Sequence, residues 1–139
     1  MKRLAVLLWF TFCFSLSFGQ QGEEFSLDYE KYTLPNGLDV ILHIDRSDPI
    51  VALAIRFHVG SGRETPGRTG FAHLFEHMMF QRSENVEEDQ FFKIIQDAGG
   101  TLNGGTGNDA TTYYEVVPKN ALEKILWMES DRMGYMINT

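Results

Sequence analysis

The spacing of apolar residues changes several times along this chain, and each change marks an expected element. Leu4 to Phe18 is an almost unbroken apolar run behind Lys2 and Arg3. Leu38 to Ile44 alternates apolar and polar, the period of a half-buried strand, just after the turn signal Pro35-Asn36-Gly37. Ile50 to Val59 is rich in β-branched residues and closes at Gly60-Ser61-Gly62, which predicts a second strand. Thr69 to about Arg82 reads as a helix with Thr69 as its expected N-cap. Asn85 with Glu88 three residues on has the form of a capping box, opening a helix that ends at Gly99-Gly100. A Gly- and Asn-rich stretch follows, and its tail, Thr111 to Val117, has strand composition up to the break at Pro118. Asn120 with Glu123 caps an expected last helix to about Met136, with Leu122, Ile125, Leu126 and Met133 at core spacing.

Strands followed by helices, then a strand and a helix, predict an α+β fold: a largely antiparallel sheet packed against helices. No internal linker is visible, so residues 20–139 read as one domain, incomplete because no closing strand follows Met136. The start of the chain has a separate meaning. Two positive residues, an apolar run of 15 residues and the small residues Ser17 and Gly19 have the order of a signal peptide over residues 1–19. The run is shorter than the roughly 20 residues of a membrane span, although the same segment would serve as an uncleaved signal anchor. The expected location is therefore periplasmic or secreted, with no stable membrane span.

Charge and cysteine content narrow the chemistry. The formal net charge is −7, with no basic run, which argues against nucleic acid as a partner. Loss of the signal segment would remove Cys13, the only cysteine. Any metal site must then be built from His, Asp or Glu.

One stretch meets that condition: Gly70 to Phe80, "GFAHLFEHMMF". On a helix, His73 and His77 lie one above the other on one face. Glu76 falls roughly 60° to one side of His73 and His77 roughly 40° to the other, so all three share one sector. Neutral imidazoles suit a borderline-soft ion such as Zn²⁺, and a carboxylate beside it can take a proton from water. The order H-x-x-E-H inverts the H-E-x-x-H metalloprotease motif. With 4 histidines in 139 residues, chance expects on the order of 0.01 occurrences of this spacing. Apolar residues surround the motif, so the helix is expected to be buried nearly all round, and buried ionisable groups need a partner. His43 and His58 fall in strand-like segments and read as structural.

The stretch from Gly60 to Phe80, "GSGRETPGRTGFAHLFEHMMF", resembles the signature of the pitrilysin family of zinc peptidases, which includes insulin-degrading enzyme and the mitochondrial processing peptidase β subunit. "YTLPNGLDVIL" is similar to that family's opening strand, "GGTLNGGTGNDATTYYEVVP" to its Gly-Gly-x-x-Asn-Ala-x-Thr segment, and "LEKILWMESDRM" to the helix that follows. The resemblance implies His73 and His77 as zinc ligands and Glu76 as the catalytic base. It also implies that Asn103, Gly104, Gly105 and Thr106 form an exposed strand edge to which an extended peptide substrate adds as a further strand. Composition alone favours a flexible loop there. Gly104 stands where the family usually has Ala. The family's third zinc ligand is a Glu on a helix beyond the "ESDRM" segment, so neither Glu123 nor Glu129 fills that place.

The resulting expectation is the N-terminal part of an exported zinc metalloendopeptidase acting on peptides or small unfolded proteins. Further domain repeats or a partner subunit are expected to close its chamber. As 139 residues, weak or no activity is expected, since two histidines alone leave the metal loosely held. The alternative is a non-catalytic partner subunit or peptide-binding module of the same fold.

Overall fold

The computed structural model describes residues 26–136, so the expected signal peptide, residues 1–19, lies outside the described residues. The described residues divide into two compact units, with the boundary between Asp45 and Arg46. In the first, β1 (Glu30–Thr33) and β2 (Asp39–Leu42) form an antiparallel hairpin with Thr33 opposite Asp39. The turn follows from the sequence: Gly37 takes a φ of 88°, open only to residues that tolerate left-handed backbone, and Asn36 Oδ1 accepts from the Leu38 N–H at 3.1 Å.

The second unit holds a three-stranded antiparallel sheet in the order β3-β5-β4, from β3 (Ile50–Phe57), β4 (Thr101–Thr106) and β5 (Thr111–Pro118). Between and after these strands come α1 (Phe71–Met78), α2 (Gln90–Asp97) and α3 (Leu122–Tyr135). The fold is thus α+β with antiparallel sheets, as the element order predicts. The Gly-rich stretch is a strand rather than a loop, and it forms an edge of the sheet. Along β5, Thr111, Tyr113, Glu115 and Val117 are buried, the alternation that places one face of a strand against a core. Phe80, Phe91, Ile95, Tyr113, Val117, Ile125 and Met128 join in one apolar cluster on that face. No described helix is long and apolar enough to cross a membrane.

Several expected boundaries move, each for a long-range reason. Strand β3 stops at Phe57, and Gly60 lies so close to the next loop that a Cβ there would sit 2.5 Å from the carbonyl oxygens of Gly107 and Asn108. Ser61 and Gly62 then donate their N–H groups to those two carbonyls at 3.0 and 2.8 Å. Helix α2 opens at Gln90 rather than after Asn85, because Asn85 is engaged elsewhere. Its backbone N–H and Nδ2 both donate to Asp131, at 3.1 and 2.6 Å. No side-chain bond caps α3, so the expected role of Asn120 is not realised. Its buried residues are Ile125, Met128, Glu129, Asp131 and Arg132, whereas Leu126 and Met133 are exposed, against the expected core assignment.

Candidate functional site

Helix α1 carries the motif, and two features fix where it begins. Gly70 precedes it with a φ of 96°, a left-handed conformation that costs a side-chain-bearing residue roughly 1–2 kcal/mol. Thr69 is therefore not the cap. The capping acceptor comes instead from Glu64: Oε2 takes the Gly70 N–H and Oε1 the Ala72 N–H, each at 2.7 Å. Those bonds hold the Glu64 carboxyl below the usual carboxylate range, the Ala72 amide contributing most. Local sequence gives no sign of this cap, because the glutamate stands six residues before Gly70.

Within α1 the three motif residues part into two environments. His73 and His77 are exposed, with Nε2 atoms 3.0 Å apart and ring centroids 4.7 Å apart. Glu76 is buried at 7% exposure. Only Ala72 and Glu76 of the helix are buried, so the expectation of a helix buried nearly all round is corrected. Phe71, Leu74, Phe75 and Met78, at i, i+3, i+4 and i+7, form an apolar stripe; each is 45–53% exposed. The burial argument for a buried partner therefore applies to Glu76 and not to the histidines.

Glu76 has a partner within the fold. Thr106 Oγ1, at the end of β4, donates to its Oε2. Thr111, directly opposite Thr106 in the sheet, places its Oγ1 3.3 Å from that of Thr106 and donates to the Val59 carbonyl at 3.0 Å. Thr106 was expected only as part of a substrate edge. Sequence pattern gives no sign that its side chain, with Thr111 behind it, lies beside Glu76, since their approach depends on sheet register. Of the other edge residues, Asn103 turns its Oδ1 onto the Gly104 N–H at 2.8 Å. Gly104 lies against Phe80, where an added Cβ would come within 3.0 Å of the ring.

The pair of imidazoles fits a metal. Tetrahedral zinc with bonds of about 2.0–2.1 Å sets two nitrogens about 3.3 Å apart, close to the 3.0 Å between the two Nε2 atoms. Among the described residues no group of three or more His, Cys, Asp or Glu converges as a metal set. The other candidates are occupied elsewhere. His43 Nδ1 meets the Asp28 carbonyl at 2.6 Å, His58 Nε2 meets Arg63 Nη2 at 2.8 Å, and Glu129 is held by Arg132.

Comparison with known proteins places the chain in a family. A model of the insulinase family, Peptidase family M16, matches residues 39–133. The chain is 33% identical over 107 residues to the zinc protease PqqE of Helicobacter pylori, covering 76% of this chain and 24% of that protein. It is 29% identical over 100 residues to human insulin-degrading enzyme, covering 71% of this chain and 10% of the enzyme. A crystal structure of a protease from Helicobacter pylori superposes with a TM-score of 0.77 at 30% identity, over 81% of this chain and 27% of that one. The chain thus spans about a quarter or less of the relatives it matches. On the family match and the shared fold together, this chain belongs to the insulinase family of peptidases, M16.

Proposed function

We propose that residues 46–136 form the metal-binding and proton-transferring part of a zinc metalloendopeptidase acting on peptides or small unfolded proteins. The observation that carries this is the pairing on α1 of two facing imidazole nitrogens, 3.0 Å apart, with a buried carboxylate one residue from the second. His73 and His77 would hold zinc through Nε2, with a third ligand supplied from outside the described residues. Bound zinc supplies an acidified water and a polarised substrate carbonyl. Glu76 is the base: it accepts a proton as water attacks the peptide carbonyl and returns it to the leaving amine. The peptide would lie along the free edge of β4, at Asn103, Gly104, Gly105 and Thr106, as an added strand. Export to the periplasm or medium is part of the proposal, on the signal-like order of residues 1–19. So is closure of the site by further repeats or a partner subunit.

Metal analysis of the full-length protein that contains these residues tests the ligand assignment. About one zinc per site is expected in the wild type, together with peptide hydrolysis that a chelator abolishes and zinc restores. His73→Ala or His77→Ala should lose both the metal and the hydrolysis. Full zinc retention in both variants would remove these histidines from the site.

A further inference from the structure

We infer that Thr106 is a positioning residue for the base, fixing through its side chain which oxygen of Glu76 faces the reaction. This deepens the function proposed above and rests on Glu76 being the base.

The inference begins with counting protons. Thr106 and Thr111 each own one hydroxyl proton, and a carboxylate owns none. Thr111 spends its proton on the Val59 carbonyl, at 3.0 Å. Glu76 Oε2 accepts from Thr106 Oγ1, so the Thr106 proton goes to Glu76. The 3.3 Å approach of the two hydroxyls then leaves Thr111 as an acceptor in reserve rather than a competing donor. Each end of this arrangement is tied to backbone geometry: Thr111 stands opposite both Thr106 and Phe57 in the three-stranded sheet.

The consequence is an asymmetric carboxylate. Oε2 is engaged by the sheet, and Oε1 is the oxygen left to take the proton from water. When Oε1 carries that proton, Thr106 can go on donating to Oε2, so the carboxyl need not swing between accepting and releasing it. Held groups react faster than mobile ones because the ordering has been completed beforehand, and displacement by about 1 Å can cost about a hundredfold. The main chain of Thr106 belongs to the β4 edge while its side chain reaches Glu76. One residue therefore links the seat of an extended peptide to the aim of the base.

Two variants of the full-length protein separate this role from its rivals. Thr106→Val keeps the shape, the main chain and the strand but removes the hydroxyl; Thr106→Ser keeps the hydroxyl and removes a methyl group. Expected for Thr106→Val is a fall in kcat of about ten- to a hundredfold, with KM within about twofold and bound Co²⁺ stoichiometry unchanged. Thr106→Ser should recover kcat to within about threefold. Unchanged kcat in the valine variant overturns the inference, as does a serine variant damaged equally, or a loss confined to KM. A second readout needs no activity. In metal-free protein, Thr106→Val should lower the urea midpoint in the wild-type background but not in a Glu76→Ala background. Equal shifts in both backgrounds would mean the two side chains are not tied. A wild-type enzyme without peptidase activity would remove the base assignment and this role together, whereas an active enzyme indifferent to Thr106→Val removes the role alone.

Discussion

At the scale of single residues, the most demanding feature is a charge nest under the sheet. Arg132 is buried and gives Nη2 to both oxygens of Glu129, at 2.5 and 2.6 Å, with Glu115 Oε1 3.6 Å away. Its guanidinium also lies over the rings of Tyr113 and Phe91, with centroids at 4.3 and 4.6 Å. Two carboxyl groups share one cation, and Glu115 has no hydrogen-bond partner for either oxygen. Burial above all, then the charge of Glu129, pushes Glu115 up to about 8. Its folded pKa is raised above the unfolded value, so the stability it contributes is present at acid pH and is lost as pH rises through the folded value. Urea denaturation should show stability declining between about pH 5 and pH 8, with a flatter profile in Glu115→Gln. Arg132→Met should cost about 3–5 kcal/mol by the same measurement, because it leaves buried carboxylates without a cation. A loss of under about 1 kcal/mol in Arg132→Met would show that the guanidinium contributes only packing.

At the scale of elements, the motif helix is short, and its first turn depends on a residue outside it. Glu64 closes two N–H groups that would otherwise lack acceptors. Glu64→Ala should therefore speed hydrogen exchange at the Gly70 and Ala72 amides more than anywhere in α2 or α3. Gly70→Ala meets no atom within 4 Å, so its cost is conformational alone, about 1–2 kcal/mol in equilibrium unfolding. The strands were largely legible, because β-branched alternation and Pro or Gly stops are local signals: β3 and β5 begin where the pattern puts them, though β3 ends two residues early. Helix starts were not. Asn85 has the local form of a cap yet serves Asp131, 46 residues away, and Glu64 has no such form yet caps α1. The edge strand Thr101–Thr106 was opaque to composition, since its glycines read as loop, and only the family resemblance pointed to it.

At the scale of the whole molecule, the exposed stripe Phe71, Leu74, Phe75 and Met78 lies on the same helix as the two histidines. Apolar patches of this kind promote association unless something covers them. Expressed by itself, the 139-residue chain should be recovered mainly in the insoluble fraction. Leu74→Gln combined with Phe75→Gln should raise the soluble yield without altering the far-UV circular dichroism. The candidate site itself was partly legible. Helical periodicity alone puts His73, Glu76 and His77 in one sector. The split into two exposed imidazoles and a buried carboxylate depends on the sheet that α1 covers, and so does the link to Thr106.

The central claim is that Glu76 is the proton acceptor of a zinc peptidase, and Glu76→Gln in the full-length protein tests it most directly. Glutamine keeps the size of the side chain and removes its basicity. With zinc content matched to the wild type, kcat for peptide hydrolysis should fall at least about a hundredfold. Hydrolysis at the wild-type rate by a zinc-loaded Glu76→Gln protein would contradict the account.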